Sequence, residues 1–127
     1  MSSKKINLKE SLSKIQIENL DITNFSKLEK VILKHKPEII IHLAGQTSHA
    51  KSFENFIYVI EINAISTLCI LETIRSNNLN CKFILGSTFI VIGKPKKLPV
   101  DEYSECNPTS LYATHRLTSE HYCKIYS

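Results

Sequence analysis

Short apolar runs alternate with longer stretches of helical period along this chain. In residues 14–20 (KIQIENL) Ile15 and Ile17 alternate with polar neighbours before Leu20 and the stretch ends at Asp21, the period of a strand with one covered face. Thr23 or Asn24 then stands where a helix cap belongs, and Phe25, Leu28, Val31 and Ile32 share one helical face until Pro37 ends it. Residues 38–44 (EIIIHLA) form a continuous apolar run, which suits a strand buried on both faces of a parallel sheet. From residue 52 to 75 the helical period is strong. Phe53, Phe56, Ile57, Ile60, Ala64, Leu68 and Leu71 make one face, and Val59, Ile62, Cys69 and Thr73 a second, weaker one. Such a two-sided helix packs on a sheet and on something else besides. Residues 82–87 (KFILGS) give the next buried strand, and a last helix is expected with Asn107 as cap and Pro108 in its first turn. Strand, helix, strand, helix, strand, helix is the order of an α/β protein with a doubly wound parallel sheet.

Composition narrows the classes. A chain of 127 residues, 43% hydrophobic and 22% charged, makes one folded domain. Cys69, Cys81, Cys106 and Cys123 form no CxxC pair and read as free thiols of a reducing, cytoplasmic compartment. No run is expected to reach the ~20 apolar residues of a membrane span, and MSSKK at the start lacks the apolar core of a signal peptide. The net charge of +4 comes mostly from scattered lysines, clustered only at 4–5 and 94–97. A solvated surface explains that pattern without nucleic acid. The only glycines are Gly45, Gly86 and Gly93, so neither GxGxxG nor a P-loop exists within the chain. Two aspartates and five histidines without zinc-ligand spacing argue against a metal site. His42, inside an apolar run, reads as a core histidine.

Ligands of open parallel sheets bind beyond the carboxyl ends of the strands. Three such ends are legible: Asp21–Ile22, Ala44–Gly45–Gln46 and Ser87–Thr88. Tyr112 and Arg116, four apart, share one helical face. Taken singly, each has a bland explanation as turn, loop or surface pair.

Taken together in this order, they resemble the extended short-chain dehydrogenase/reductases, the NAD-dependent epimerase/dehydratase family acting on nucleotide sugars. Residues 21–23 (DIT) are similar to the family's Asp-hydrophobic pair, and 41–45 (IHLAG) to its HLAA or HFAG strand end. Residues 63–67 (NAIST) resemble NxxGT, Ser87–Thr88 with Gly93 the SS or ST pair before VYG, and 112–116 (YATHR) the YxxxK motif. The departures are Phe56 at a common proline, Ser66 for a glycine, Cys69 for an asparagine, and Arg116 for the lysine.

The resemblance implies NAD as cofactor, with NADP not distinguished, held by Asp21, Ile22, Leu43, Ala44, Gly45, Ser87, Tyr112 and Arg116. It implies Tyr112 as acid/base, Arg116 as its electrostatic partner and ribose-diol ligand, and Thr88 as hydrogen-bond donor to the substrate oxygen. A tyrosine base needs its anion stabilised by about 4 kcal/mol to work near neutrality, and a cation one helical turn away supplies part of that. The family's 4,6-dehydratases carry a carboxylate just after the Ser/Thr, where this chain has Phe89 and Ile90. Epimerisation or simple oxidoreduction at a sugar carbinol is therefore expected over elimination. A homodimer through the two-sided helix and the last helix is implied, with a nucleotide sugar as substrate. The family's glycine-rich turn and substrate domain are missing, so residues 1–127 are expected to be the centre of one Rossmann domain. Two readings stand: part of a working epimerase-type oxidoreductase, or a truncated, inactive product keeping the middle of the fold.

Overall fold

The computed structural model describes residues 13–47 and 53–127; the expected helix start at residue 52 lies outside them. Helix α1 (Phe25–His35) begins where Asn24 Oδ1 accepts the Lys27 N–H at 3.2 Å, satisfying one of the donors a helix start leaves free. It ends at Lys36, in the left-handed conformation at φ 42°, one residue before Pro37. Strand β1 (Ile39–His42) leads to the long helix α2 (Phe56–Ser76). Strand β2 (Lys82–Leu85) follows, then a 3₁₀ turn (Phe89–Ile92) and helix α3 (Leu111–Ile125). The strands pair in parallel, Ile39 opposite Lys82 through His42 opposite Leu85. This is a β-α-β unit of a partial, Rossmann-like α/β fold.

Helix α2 changes pitch along its length. Residues Glu61–Ile65 form a π turn between α-helical Phe56–Ile60 and Ser66–Ser76, and this wider turn lies against α3. There the Ser119 hydroxyl donates to the Asn63 carbonyl at 2.7 Å. α1 packs on α2 and α2 on α3, giving one layer of helices. Its core joins Ile32, Val59, Ala64, Ile70, Leu71 and Ala113 to small buried polar residues, among them Asn63, Ser66, Thr67 and Ser119. Small side chains let the helix axes approach, and each polar one needs a partner once inside.

Four expectations are corrected. Residues 14–20 form no strand, because alternation supplies a face but not a neighbour, and the described sheet consists of β1 and β2 alone. Glu18 instead meets Lys34 and His35 of α1, each at 2.8 Å. The strands are covered on one face rather than two. Ile39 and Ile41 remain 54% and 61% exposed while His42 is buried, so the described helices supply one of the two layers of a doubly wound sheet. The last helix is capped by Ser110, whose Oγ accepts the Ala113 N–H at 3.2 Å. Asn107 is held elsewhere: its N–H bonds the Ile92 carbonyl at 3.3 Å. Gly93, at φ +66°, lies so close that a Cβ there would sit 1.8 Å from the Asn107 carbonyl oxygen. Finally, α2 is long and apolar enough to cross a membrane, with mean hydropathy 1.6 over 18 residues. Its buried Asn63, Ser66, Thr67 and Thr73 and its packing between α1 and α3 are those of a core helix.

Candidate nucleotide-binding site

The carboxyl end of β1 opens onto a groove of about 740 Å³, lined by Asp21, Ile22, Ala44, Gly45, Gln46 and Tyr58 among others. Four residues singled out in the sequence therefore meet on one surface. Asp21 is shaped by its neighbour: its Oδ1 accepts the Thr23 N–H at 3.0 Å and the Thr23 hydroxyl at 2.9 Å. Those two bonds, backbone first, hold its carboxyl below the usual carboxylate range. Oδ2 is left to accept from a ligand, so the residue suits hydroxyl or amine donors.

The floor of the groove is fixed from α2. Asn63 is fully buried; its Oδ1 accepts the Gln46 N–H at 2.9 Å and its Nδ2 donates to the Gln46 carbonyl at 3.0 Å. The side chain thus grips one residue's backbone from both sides. Gly45 makes the grip feasible, since a Cβ there would lie 2.8 Å from Asn63 Oδ1. The NxxGT likeness contained Asn63, but spacing alone did not say what its amide would hold.

Behind the strand ends sits His42, with its Nε2 3.4 Å from Ser66 Oγ. Ser66 spends its own proton on the Ile62 carbonyl at 2.9 Å, so it accepts, and the histidine proton is assigned to Nε2. Burial, reinforced by the Arg116 cation, pushes the His42 pKa down to about 4. The ring is neutral at physiological pH, as befits a core residue. The serine in place of the family's glycine is what gives it a partner.

The remaining expected residues surround the end of β2. Leu43 lies on the open sheet face and leans over Gly86, where an added Cβ would meet its Cδ2 at 2.5 Å. Thr88 caps the 3₁₀ turn by accepting the Ile90 N–H at 3.4 Å, leaving its hydroxyl proton to donate. The Ser87 hydroxyl donates to the carboxylate of Glu120 on α3, a residue the sequence reading passed over although it follows Arg116 by one helical turn. Tyr112 lies in the first turn of α3, half-buried. Arg116 is 2% exposed. Its Nη1 donates to the Ala44 carbonyl at 3.4 Å and its Nη2 to the Gly86 carbonyl, so its fork is turned to backbone rather than to the groove. Among the described residues no three metal-ligating side chains gather, and all four cysteines are free.

A parallel β-α-β unit with a groove at the strand carboxyl ends defines a Rossmann-like α/β domain. The family model for GDP-mannose 4,6 dehydratase matches residues 2–127. The chain belongs to that family, and so to the NAD-dependent epimerase/dehydratases. It is 35% identical over 92 residues to a CDP-paratose 2-epimerase of Salmonella typhi, covering 72% of this chain and 27% of that one. It is likewise 35% identical over 99 residues to a GDP-mannose 4,6 dehydratase of Drosophila melanogaster, covering 76% of this chain and 25% of that one. The UDP-glucose 4-epimerase of Bifidobacterium longum, solved with NAD+ and UDP, superposes with a TM-score of 0.80 at 25% identity, over 98% of this chain and 38% of that one. The chain thus spans well under half the length of these proteins.

Proposed function

We propose that the chain is the central part of an NAD-dependent nucleotide-sugar epimerase-type oxidoreductase. In this reading it binds the adenosine side of the cofactor and carries the acid/base. The observation that carries it is the convergence of Asp21, Ile22, Ala44 and Gly45 on one groove, with Thr88 and Tyr112 on the adjoining strand exit and helix. The groove fits a dinucleotide's adenosine: Asp21 Oδ2 accepts from ribose or adenine donors, and Gly45 keeps the floor at backbone height. NAD, when bound, accepts hydride from a sugar carbinol and returns it.

The chain's own residues handle the proton. Tyr112 takes the hydroxyl proton as the carbinol is oxidised and gives it back on reduction. Thr88 donates to the same oxygen, and Arg116 holds a fixed positive charge one turn along α3. Phe89, 80% exposed, and Ile90 offer no proton for a leaving hydroxyl, which favours epimerisation or oxidoreduction over elimination. Solvent-facing Phe56 and Ile57 on α2 support self-association through α2 and α3. We place the protein in the cytoplasm on its free thiols.

Amide chemical shifts of the labelled chain during titration with NAD, NADP and UDP-glucose test this reading. With no glycine-rich turn in the chain to cradle the pyrophosphate, NAD should bind weakly, above about 100 μM, and move the Ile22, Gly45 and Gln46 amides. Asp21→Ala should abolish those shifts. Shifts scattered away from the groove, or none at millimolar NAD, would favour the inactive reading.

A further inference from the structure

The two strand exits of this molecule are joined by one side chain. Arg116 crosses from α3 to the Ala44 carbonyl beyond β1 and the Gly86 carbonyl beyond β2, residues 72 and 30 positions away in sequence. It is 2% exposed and belongs to none of the ion pairs among the described residues. Its Nε, also buried, has no hydrogen-bond partner. A buried cation compensated only by carbonyl dipoles is costly unless its geometry is used. The two carbonyls belong to different segments: Ala44 lines the groove, while Gly86 immediately precedes Ser87 and Thr88.

We propose that Arg116 is a positioning residue, a clamp that fixes the separation between the groove-lining segment and the segment carrying Thr88. An arginine suits this task because its planar fork presents two terminal nitrogens to two separate acceptors. A lysine ammonium presents one nitrogen and must share it. Gly45 stands beside the clamp, and a Cβ there would clash with Asn63 Oδ1 at 2.8 Å while merely touching Nη1 at 3.7 Å. The clamp rests on the cofactor reading only for its consequence, that groove and acid/base stay in register; the clamp itself is a property of the chain.

The test begins with the unsubstituted chain. Hydrogen-bond couplings should connect the Arg116 Nη atoms to the Ala44 and Gly86 carbonyl carbons, with the Nη protons slow to exchange. A freely rotating, solvent-exchanging guanidinium would overturn the proposal. Arg116→Lys should then speed amide exchange at Gln46, Ser87 and Thr88 by about 10- to 100-fold, the size expected for losing a charged hydrogen bond. Exchange in the middle of α1 should be unchanged, and NAD affinity should fall. Arg116→Met should show the same pattern more strongly. Unchanged exchange at both exits in Arg116→Lys would sink the clamp. Absence of NAD binding by the unsubstituted chain would count against the cofactor reading alone, because couplings and exchange are read without cofactor.

Discussion

The two ends of the helix layer are held by opposite means. At the strand-exit end most bonds run from buried side chains to backbone, Asn63 to Gln46, Ser119 to Asn63, Arg116 to Ala44 and Gly86, with the exposed Ser87–Glu120 pair beside them. At the far end they lie nearer the surface and join side chains to one another. Glu72 accepts from Arg75 and from the Tyr126 hydroxyl at 2.8 Å, which pins the end of α3 to α2. Inside, an unmet polar group costs its full desolvation, whereas outside water replaces whatever is lost. The molecule therefore concentrates its specificity beside the groove and leaves the opposite end loosely fastened.

The sharpest way to break that contrast is at Asn63. Asn63→Ala strips both bonds from the Gln46 backbone and should lower stability by about 3 kcal/mol in urea denaturation. A loss below about 1 kcal/mol would show that water reaches Gln46 and that this end is no more committed than the other.

Acid titration comes next. The His42 pKa is depressed to about 4, so below its ordinary value of 6.5 the unfolded chain takes up a proton that the folded chain refuses. Stability should fall as the pH drops from 6.5 to about 4, by up to about 3 kcal/mol in all, and His42→Gln should remove that window. An unchanged acid profile in His42→Gln would assign the loss to other groups.

Ser119→Ala should cost about 1 kcal/mol, the worth of a single neutral hydrogen bond. The loss should be accompanied by faster exchange in the π turn rather than in α1.

The smallest effect belongs to Glu72. Its carboxyl is held down to about 2 by Arg75 first and Tyr126 second, so its pairing persists well below the ordinary carboxylate range and is lost as the pH falls toward 2. Its side chain is partly exposed, and Glu72→Gln should leave the urea midpoint at neutral pH nearly unmoved. A clear drop would mean that the two ends are fastened more equally than their burial implies.

What the sequence made legible was local. Asn24 as a cap, the stop at Pro37, the two strands and the long helix all follow from periods and end signals carried within a few residues. Residues 14–20 form no strand because their alternation is local while a strand's hydrogen bonds are not. The last cap moved from Asn107 to Ser110 because Asn107 is held by its contact with Ile92 and Gly93, a pairing fifteen residues apart by the first and fourteen by the second. In the groove, the motif residues Asp21, Ile22, Ala44 and Gly45 line one surface. Motif order was silent on what Arg116 touches: a four-residue spacing fixes the helix face, and the acceptors lie on two other segments. Glu120, on that same helix, carried a signal of its kind, a carboxylate one turn beyond Arg116.

The uncovered side of the sheet has a practical consequence for handling the protein. Ile39, Ile41, Leu43 and Ile84 stand together as a row of solvent-facing aliphatic side chains on an otherwise ordered ribbon. A fluorescent probe of apolar surface such as anilinonaphthalene sulfonate should light up in the native chain, at neutral pH and without denaturant. In most proteins that glow reports a loosened, partly unfolded state. Here it should coexist with sharp side-chain resonances and fade when Ile41 is replaced by threonine, so dye brightness will be a poor gauge of folding quality for this chain.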